Sequence, residues 1–232
     1  MINQRIKDLK NLFKKEVIDG YVVPKNDEFF SEFSKADRLK IISNFSGSAG
    51  YAVILKKKNY LFVDGRYTIQ AQIESGKNFI ITDYRKIVNC DLFKNLTLGI
   101  NPKLFTSNQI KKYFLKNNKI KLIKTDLIKQ NSEKKLNHSK PFFSLDKLIV
   151  GESHKKKINK IINFLKKNKS NFIFITAPEN VAWLLNIRGY DNPNSPIPNC
   201  HLLLDSKKNF YLIVNKEKAK NLIKENKIKS HQ

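Results

Sequence analysis

The chain has few of the residues that most often carry chemistry or cross-links. Its two cysteines, Cys90 and Cys200, stand alone without CxxC spacing, which excludes a disulfide framework and a cysteine metal knuckle. The four histidines, His138, His154, His201 and His231, have no carboxylates at a spacing suited to a dinuclear metal site. There is neither a glycine-rich phosphate loop nor a nucleophile elbow. No run approaches the roughly 20 apolar residues of a membrane helix. The start, Met1-Ile2-Asn3-Gln4-Arg5, lacks the apolar core of a signal peptide. A soluble cytoplasmic protein with no membrane partner is the expectation. Acidic residues are also scarce, 20 against 45 basic ones, and the resulting formal charge of +25 with a pI near 9.9 invites a nucleic-acid reading. Against it, only Arg5, Arg38, Arg66, Arg85 and Arg188 supply guanidinium forks, and the lysines are spread over every helix and loop instead of one stripe.

What is present is globular. With 232 residues, 41% hydrophobic and 11% aromatic, the chain has enough apolar material for a buried core, in one large domain or two small ones. Ile6, Leu9, Leu12 and Phe13 mark one face of a helix over Ile2 to Glu16, closed by Asp19-Gly20. Tyr21-Val22-Val23 reads as a buried strand stopped by Pro24. Asn26 to Ser34, with Asp27, Glu28 and Glu32, reads as a solvated loop, because no histidine or nucleophile stands near its carboxylates. A helix is expected over Ala36 to Phe45.

The most informative stretch runs from Asn44 to Gln72. Gly47 and Gly50 allow a positive φ or a close backbone approach, and Tyr51 to Leu55 and Tyr60 to Val63 form a hairpin around Lys56 to Asn59. Asp64 then caps a helix opening at Arg66, a guanidinium placed at a strand-to-helix junction where it can face a partner or substrate. Asp-Gly after a strand is also ordinary turn chemistry. Further on, Phe79 to Ile81 reads as a strand, Val88 to Leu96 as a helix and Leu98 to Ile100 as a strand. Gln109 to Lys116 is a helix capped from Thr106-Ser107-Asn108, and Ile120 to Ile123 is the last strand. Alternating strands and helices imply an α/β layer with a largely parallel or mixed sheet.

The polar stretch around Lys129 to Lys140, before Pro141, separates two units: a first domain over 1–128, a linker over 129–144 and a second domain over 145–232. The second repeats the element order of the first. Lys155 to Lys167 matches the opening helix, Phe172 to Ile175 the first strand, and Pro178 to Ile187 the next helix. His201 to Leu204 with Phe210 to Val214 matches the hairpin, and Lys216 to Glu225 the helix after it. Val214-Asn215-Lys216-Glu217 thus stands where the first copy has Val63-Asp64-Gly65-Arg66. By its own internal logic the second copy lacks roughly the last third of its sheet, and its edges should be completed by a partner or promote aggregation. Trp183 and Leu184 are expected in the core and Arg188-Gly189 at a helix end.

Phe45-Ser46-Gly47-Ser48-Ala49-Gly50 followed by Asp64-Gly65-Arg66-Tyr67 and Gln70-Ala71 resembles the first N-terminal domain of aminopeptidase P, the Xaa-Pro aminopeptidases of the creatinase and prolidase group. Thr176 to Gly189, including Val181-Ala182-Trp183-Leu184 and Asn186-Ile187-Arg188-Gly189, resembles the second domain of the three-domain members. The resemblance covers essentially the whole chain and implies two tandem creatinase-N-like α/β domains with mixed sheets flanked by helices, the second one truncated. In that family, peptide hydrolysis belongs to a C-terminal pita-bread domain with two metal ions, usually manganese. By resemblance, then, this chain carries no catalytic residue and no cofactor of its own. Its expected partners are the catalytic domain or a full-length homologue, a second copy in a homodimer, and peptide substrate only in the complete enzyme. Its domains would shape access to the active site, with Arg66 contacting a peptide end or an interface. Two other readings stand beside this one: an autonomous binding, regulatory or pseudo-enzyme module, and a basic nucleic-acid-binding protein.

Overall fold

The computed structural model describes residues 2–31, 37–88, 90–128 and 140–228. The chain divides into two compact units, Met1–Lys134 and Lys135–Gln232.

The first unit opens with α1 (Ile2–Glu16), which buries Ile6, Leu9 and Phe13 at helical spacing. The helix stops at Val17, at φ +49, and not at Asp19-Gly20 as expected. Gly20 instead begins β1 (Gly20–Pro24), where a Cβ would lie 2.8 Å from the Ile54 carbonyl, so the glycine serves strand approach. A short α2 (Arg38–Ser43) follows, capped by the Asp37 side chain and ended by Asn44 at φ +65. Then come β2 (Gly50–Leu55), β3 (Asn59–Val63), α3 (Thr68–Ser75), β4 (Ile80–Asp83), β5 (Thr97–Ile100), α4 (Ser107–Ile110) with a π turn over Lys111–Leu115, and β6 (Lys119–Leu122). The strands form one mixed sheet in the order β4-β3-β2-β1-β5-β6. Only β2 runs against the others, because the β1–β2 and β2–β3 pairs are antiparallel and the remaining pairs parallel.

Both faces of this sheet are covered. On one, α1, α2 and α3 pack over Tyr21, Val23, Ala52, Ile54, Leu61 and Val63. On the other, Val22, Val53, Tyr60 and Phe62 lie beneath Ile87, Phe93, Leu104 and Phe114. The helix expected over Val88 to Leu96 is not formed among the described residues. Asp83 instead caps a 3-10 turn over Tyr84–Ile87, Asn95 takes φ +57, and Cys90 and Phe93 are buried from irregular chain. Gly47 and Gly50 serve close approach only: a Cβ at Gly47 would fall 2.2 Å from the Phe45 ring, and one at Gly50 2.9 Å from the Phe62 carbonyl.

The second unit contains β7 (Phe143–Ser144), α5 (Lys147–Val150), α6 (His154–Lys167), β8 (Phe172–Ile175), α7 (Pro178–Leu185), β9 (Ile187–Arg188), β10 (His201–Asp205), β11 (Phe210–Ile213) and α8 (Lys216–Lys224). Its main sheet has three strands in the order β11-β10-β8, all antiparallel, and β7 pairs with β9. Phe142 and β7 belong to this packed unit although they fall in the stretch expected as linker, whose residues 129–139 lie outside the described ones. α7 ends at Asn186, in the left-handed region, so Arg188 sits in a strand and not at a helix end. Leu184 is buried as expected, but Trp183 is 55% exposed. It lies on the outer side of α7, where the Lys157 ammonium stands 4.3 Å from its ring centre while bonding the Trp183 carbonyl and Asn186 Oδ1.

Candidate functional surface

In the first unit β1, β3, β4, β5 and β6 all end on the same edge of the sheet, where β2 begins. Polar side chains in an open α/β layer gather at such an edge, since the loops leaving the strands meet there.

At the end of β3, Asp64 stays extended and its Oδ1 accepts from the Arg66 amide at 3.0 Å and Arg66 Nε at 2.9 Å. These bonds, Arg66 first, hold the Asp64 carboxyl below its ordinary range. Gly65 has open space where a Cβ would stand, so no crowding demands a glycine there. Arg66 reaches solvent, with its side chain 76% exposed and its guanidinium 5.7 Å from the Tyr67 ring centre. One strand over, Asp83, paired in register with Val63, repeats the device: it accepts from the Arg85 amide, from Nε at 3.0 Å and from Nη2 at 2.7 Å. Its carboxyl is pulled down to about 2, chiefly by Arg85. The two carboxylates thus aim two exposed guanidinium groups outward from neighbouring strands. Arg85 was not singled out in the sequence, yet Asp83-Tyr84-Arg85 has the same Asp-x-Arg spacing after a strand as Asp64-Gly65-Arg66.

The glycine-serine segment packs against this corner. Ser46 donates its amide and hydroxyl to Glu74, Gln70 Nε2 donates to Ser46 Oγ, and Ser48 Oγ lies 2.8 Å from the Tyr67 hydroxyl. Burial would raise the Glu74 carboxyl, but the Ser46 and Gln70 donors hold it below its ordinary value. Phe45 closes the joint edge-on to Tyr67 at 5.8 Å. The two halves of the Phe45-to-Ala71 pattern therefore belong together because they touch. Beside them a cavity of about 190 Å³ is lined by Lys25, Asn26, Ser48, Gly50, Tyr51 and Tyr84, among others. Tyr51, Tyr84 and Tyr113 cluster with ring centroids 5.6–6.4 Å apart, Tyr113 edge-on to both of the others, and burial raises the phenols of Tyr51 and Tyr84.

Of the carboxylates expected in a solvated loop, Asp27 and Glu28 are structural instead, and Glu32 lies outside the described residues. Asp27 is buried and accepts from the amides of Phe29 and Ser31. Glu28 pairs with Arg38, whose side chain is 1% exposed and also meets Asp126 at 2.7 Å. Lys25 is likewise paired, with Asp37. Among the described residues no group of three or more His, Cys, Asp and Glu is placed to hold a metal ion. The exposed guanidinium groups of Arg66 and Arg85 give the surface donors suited to anionic or polar groups of another molecule.

These two α/β units, one with a fully covered mixed sheet and the other a shorter copy of its element order, define a tandem domain architecture. Family models described as Creatinase/Prolidase N-terminal domain match residues 5–130 and residues 133–232, and the chain belongs to that family. It is 31% identical over 211 residues to a protein of Coprinopsis cinerea named a probable Xaa-Pro aminopeptidase P, covering 84% of this chain and 34% of the relative. It is 28% identical over 231 residues to Xaa-Pro aminopeptidase 1 of Dictyostelium discoideum, covering 89% of this chain and 37% of that one. The chain thus spans about a third of the length of the curated relatives it matches. The fold agrees with a crystal structure of X-prolyl aminopeptidase from Caenorhabditis elegans, described as a cytosolic enzyme with a di-nuclear active site. The TM-score is 0.85 and the identity 22%, over 98% of this chain and 42% of that one. No described helix is long and apolar enough to cross a membrane.

Proposed function

We propose that this chain is the non-catalytic N-terminal region of a cytoplasmic Xaa-Pro aminopeptidase, in which removal of an N-terminal residue preceding proline is carried by a further domain with two manganese-type ions. The reading rests on the family match over both units together with relatives of that name, of which the chain spans a third. Among the described residues no cluster of His, Cys, Asp and Glu is placed to ligate such ions. The proposed work of the first unit is to shape substrate access and support oligomer contacts. Arg66 is the contact residue: Asp64 orients it and its exposed fork suits a peptide carboxylate or an acidic interface side chain.

The test replaces the matched region of the Coprinopsis cinerea relative with this chain and follows manganese-dependent cleavage of an Xaa-Pro peptide. The folded chimera is expected to cleave it, and Arg66→Ala to raise KM several-fold at little cost in kcat or melting temperature. A folded chimera without Xaa-Pro cleavage rejects the proposed function. An unchanged KM in the Arg66 variant removes that residue from it.

A further inference from the structure

The second unit carries a cavity of about 470 Å³ where β7, α5 and the start of α6 meet the end of α7 and the chain leaving α8. Ser144, Lys147, His154, Lys155, Glu225 and Lys227 bring polar groups to it. The frame is built on Asn186, a 5% exposed residue in the left-handed conformation at the end of α7. Its side chain donates to the Glu152 carbonyl at 2.9 Å and accepts from Lys157 at 2.6 Å, while its own carbonyl accepts from the Leu145 amide at 3.0 Å. One buried asparagine thus ties α6, α7 and the segment ahead of α5 together, and the cavity walls stand in place before any ligand arrives.

The charges inside this frame are not balanced by the protein. Lys227 Nζ donates to Ser144 Oγ at 3.0 Å and to the Asn186 carbonyl at 3.3 Å, both neutral oxygens. Glu225, the one carboxylate of the lining, accepts from the Ser144 hydroxyl. Among the described residues no ion pair joins Lys147, Lys155 or Lys227 to a carboxylate. Three ammonium groups and an imidazole therefore face a single carboxylate across a half-enclosed space. Burial lowers the Lys227 ammonium from its ordinary value against the pull of Glu225, and burial, then the charges of Lys227 and Lys155, lowers the His154 imidazolium. A bound anion relieves that repulsion.

We propose that this cavity is a binding site for the phosphate group of a small phosphomonoester, with Lys227, Ser144 and His154 around the phosphate and the exposed Lys147 and Lys155 at its mouth. A dianion offsets more of the repulsion than a carboxylate does, and ammonium, imidazole and hydroxyl groups approaching from separate elements suit a tetrahedral oxyanion better than a planar one. The volume falls within the range of about 300–1,000 Å³ usual for small-molecule sites, which leaves room for the group bearing the phosphate. The site belongs to the second unit alone and is independent of Xaa-Pro cleavage.

The test titrates the full chain with inorganic phosphate, phenyl phosphate and acetate while NMR follows the four histidine rings, His154 being assigned by its loss in His154→Gln. Both phosphates are expected to saturate about tenfold tighter than acetate, and to raise the His154 titration midpoint by about half a pH unit against the surrounding Lys147, Lys155, Glu225 and Lys227. Lys227→Met should weaken phosphate binding about tenfold. The double variant Lys147→Gln/Lys155→Gln, at exposed positions, should weaken it while the melting temperature holds, and Lys166→Gln, in the last turn of α6, should bind like the parent chain. No saturation by either phosphate, saturation by inorganic phosphate alone, a shift centred on another histidine, normal binding in the double variant, or an equal loss in Lys166→Gln would overturn the proposal. So would binding of a single-stranded RNA with neither phosphate bound, which would assign the charge to an extended surface.

Discussion

Tyr60 and Tyr211 are the same residue at the same register position, opposite Val53 in one sheet and Leu203 in the other, yet Tyr60 is 4% exposed and Tyr211 41%. Replacing each by alanine therefore isolates the effect of the layer that covers Tyr60 in the first unit. At Tyr60 the change removes a buried ring packed at a tilt against Phe62 and Phe93, at centroid distances of 6.3 and 6.4 Å, and leaves a cavity. Truncation of a buried aromatic costs about 3–5 kcal/mol, a large part of the stability of a small domain. At Tyr211 the ring already meets solvent on its open side, so the loss should stay below about 1 kcal/mol. Guanidinium titrations separate the units, because the single tryptophan, Trp183, reports the second and peptide-resolved amide exchange the first. Equal costs at the two positions in the isolated chain would refute the claim that the second sheet is open.

Arg38→Ala strands Glu28 and Asp126 beside a buried site and should cost about 3–5 kcal/mol in the first unit by denaturant titration, whereas Arg66→Ala should leave stability nearly unchanged. Gly47→Ala drives a Cβ into the Phe45 ring and should cost about 1–3 kcal/mol, with the Ser48–Tyr67 bond lost in the NMR spectrum. Asp83 is depressed from its usual 3.8 to about 2, so its grip on Arg85 is complete above the usual value and fades as pH falls toward 2. The Asp83 carboxyl carbon shift and the Arg85 Nε shift followed by NMR should move together over that window and stay constant between pH 5 and 8. Burial pushes the Cys200 thiol up to about 12, so an aromatic disulfide reagent at pH 8 should label it only after unfolding.

Much of this was legible because local rules and tertiary packing agreed. The apolar period of Ile6, Leu9 and Phe13, the hairpin ending at Val63 and the Asp64 cap all reappear in the structure. The cap survives in the second copy, where Asn215 accepts from the Glu217 amide, although the arginine is gone. What escaped was set by neighbours distant in sequence. Val88 to Leu96 carries helical spacing, but Asp83 starts a tight turn just before it and the sheet face beneath draws Cys90 and Phe93 inward from irregular chain. Trp183 reads as core by type, yet it is seated on the outer side of α7 above Lys157. The Arg38, Glu28 and Asp126 cluster joins positions 10 and 88 residues apart, a pairing no local pattern announces.

The most direct test of the central claim is a peptidase assay on the purified chain alone, supplied with manganese and an Xaa-Pro peptide. No release of the N-terminal residue above buffer is expected, at any manganese concentration. Turnover that follows the chain through purification and disappears with a chelator would contradict it, by placing the metal chemistry within these two domains.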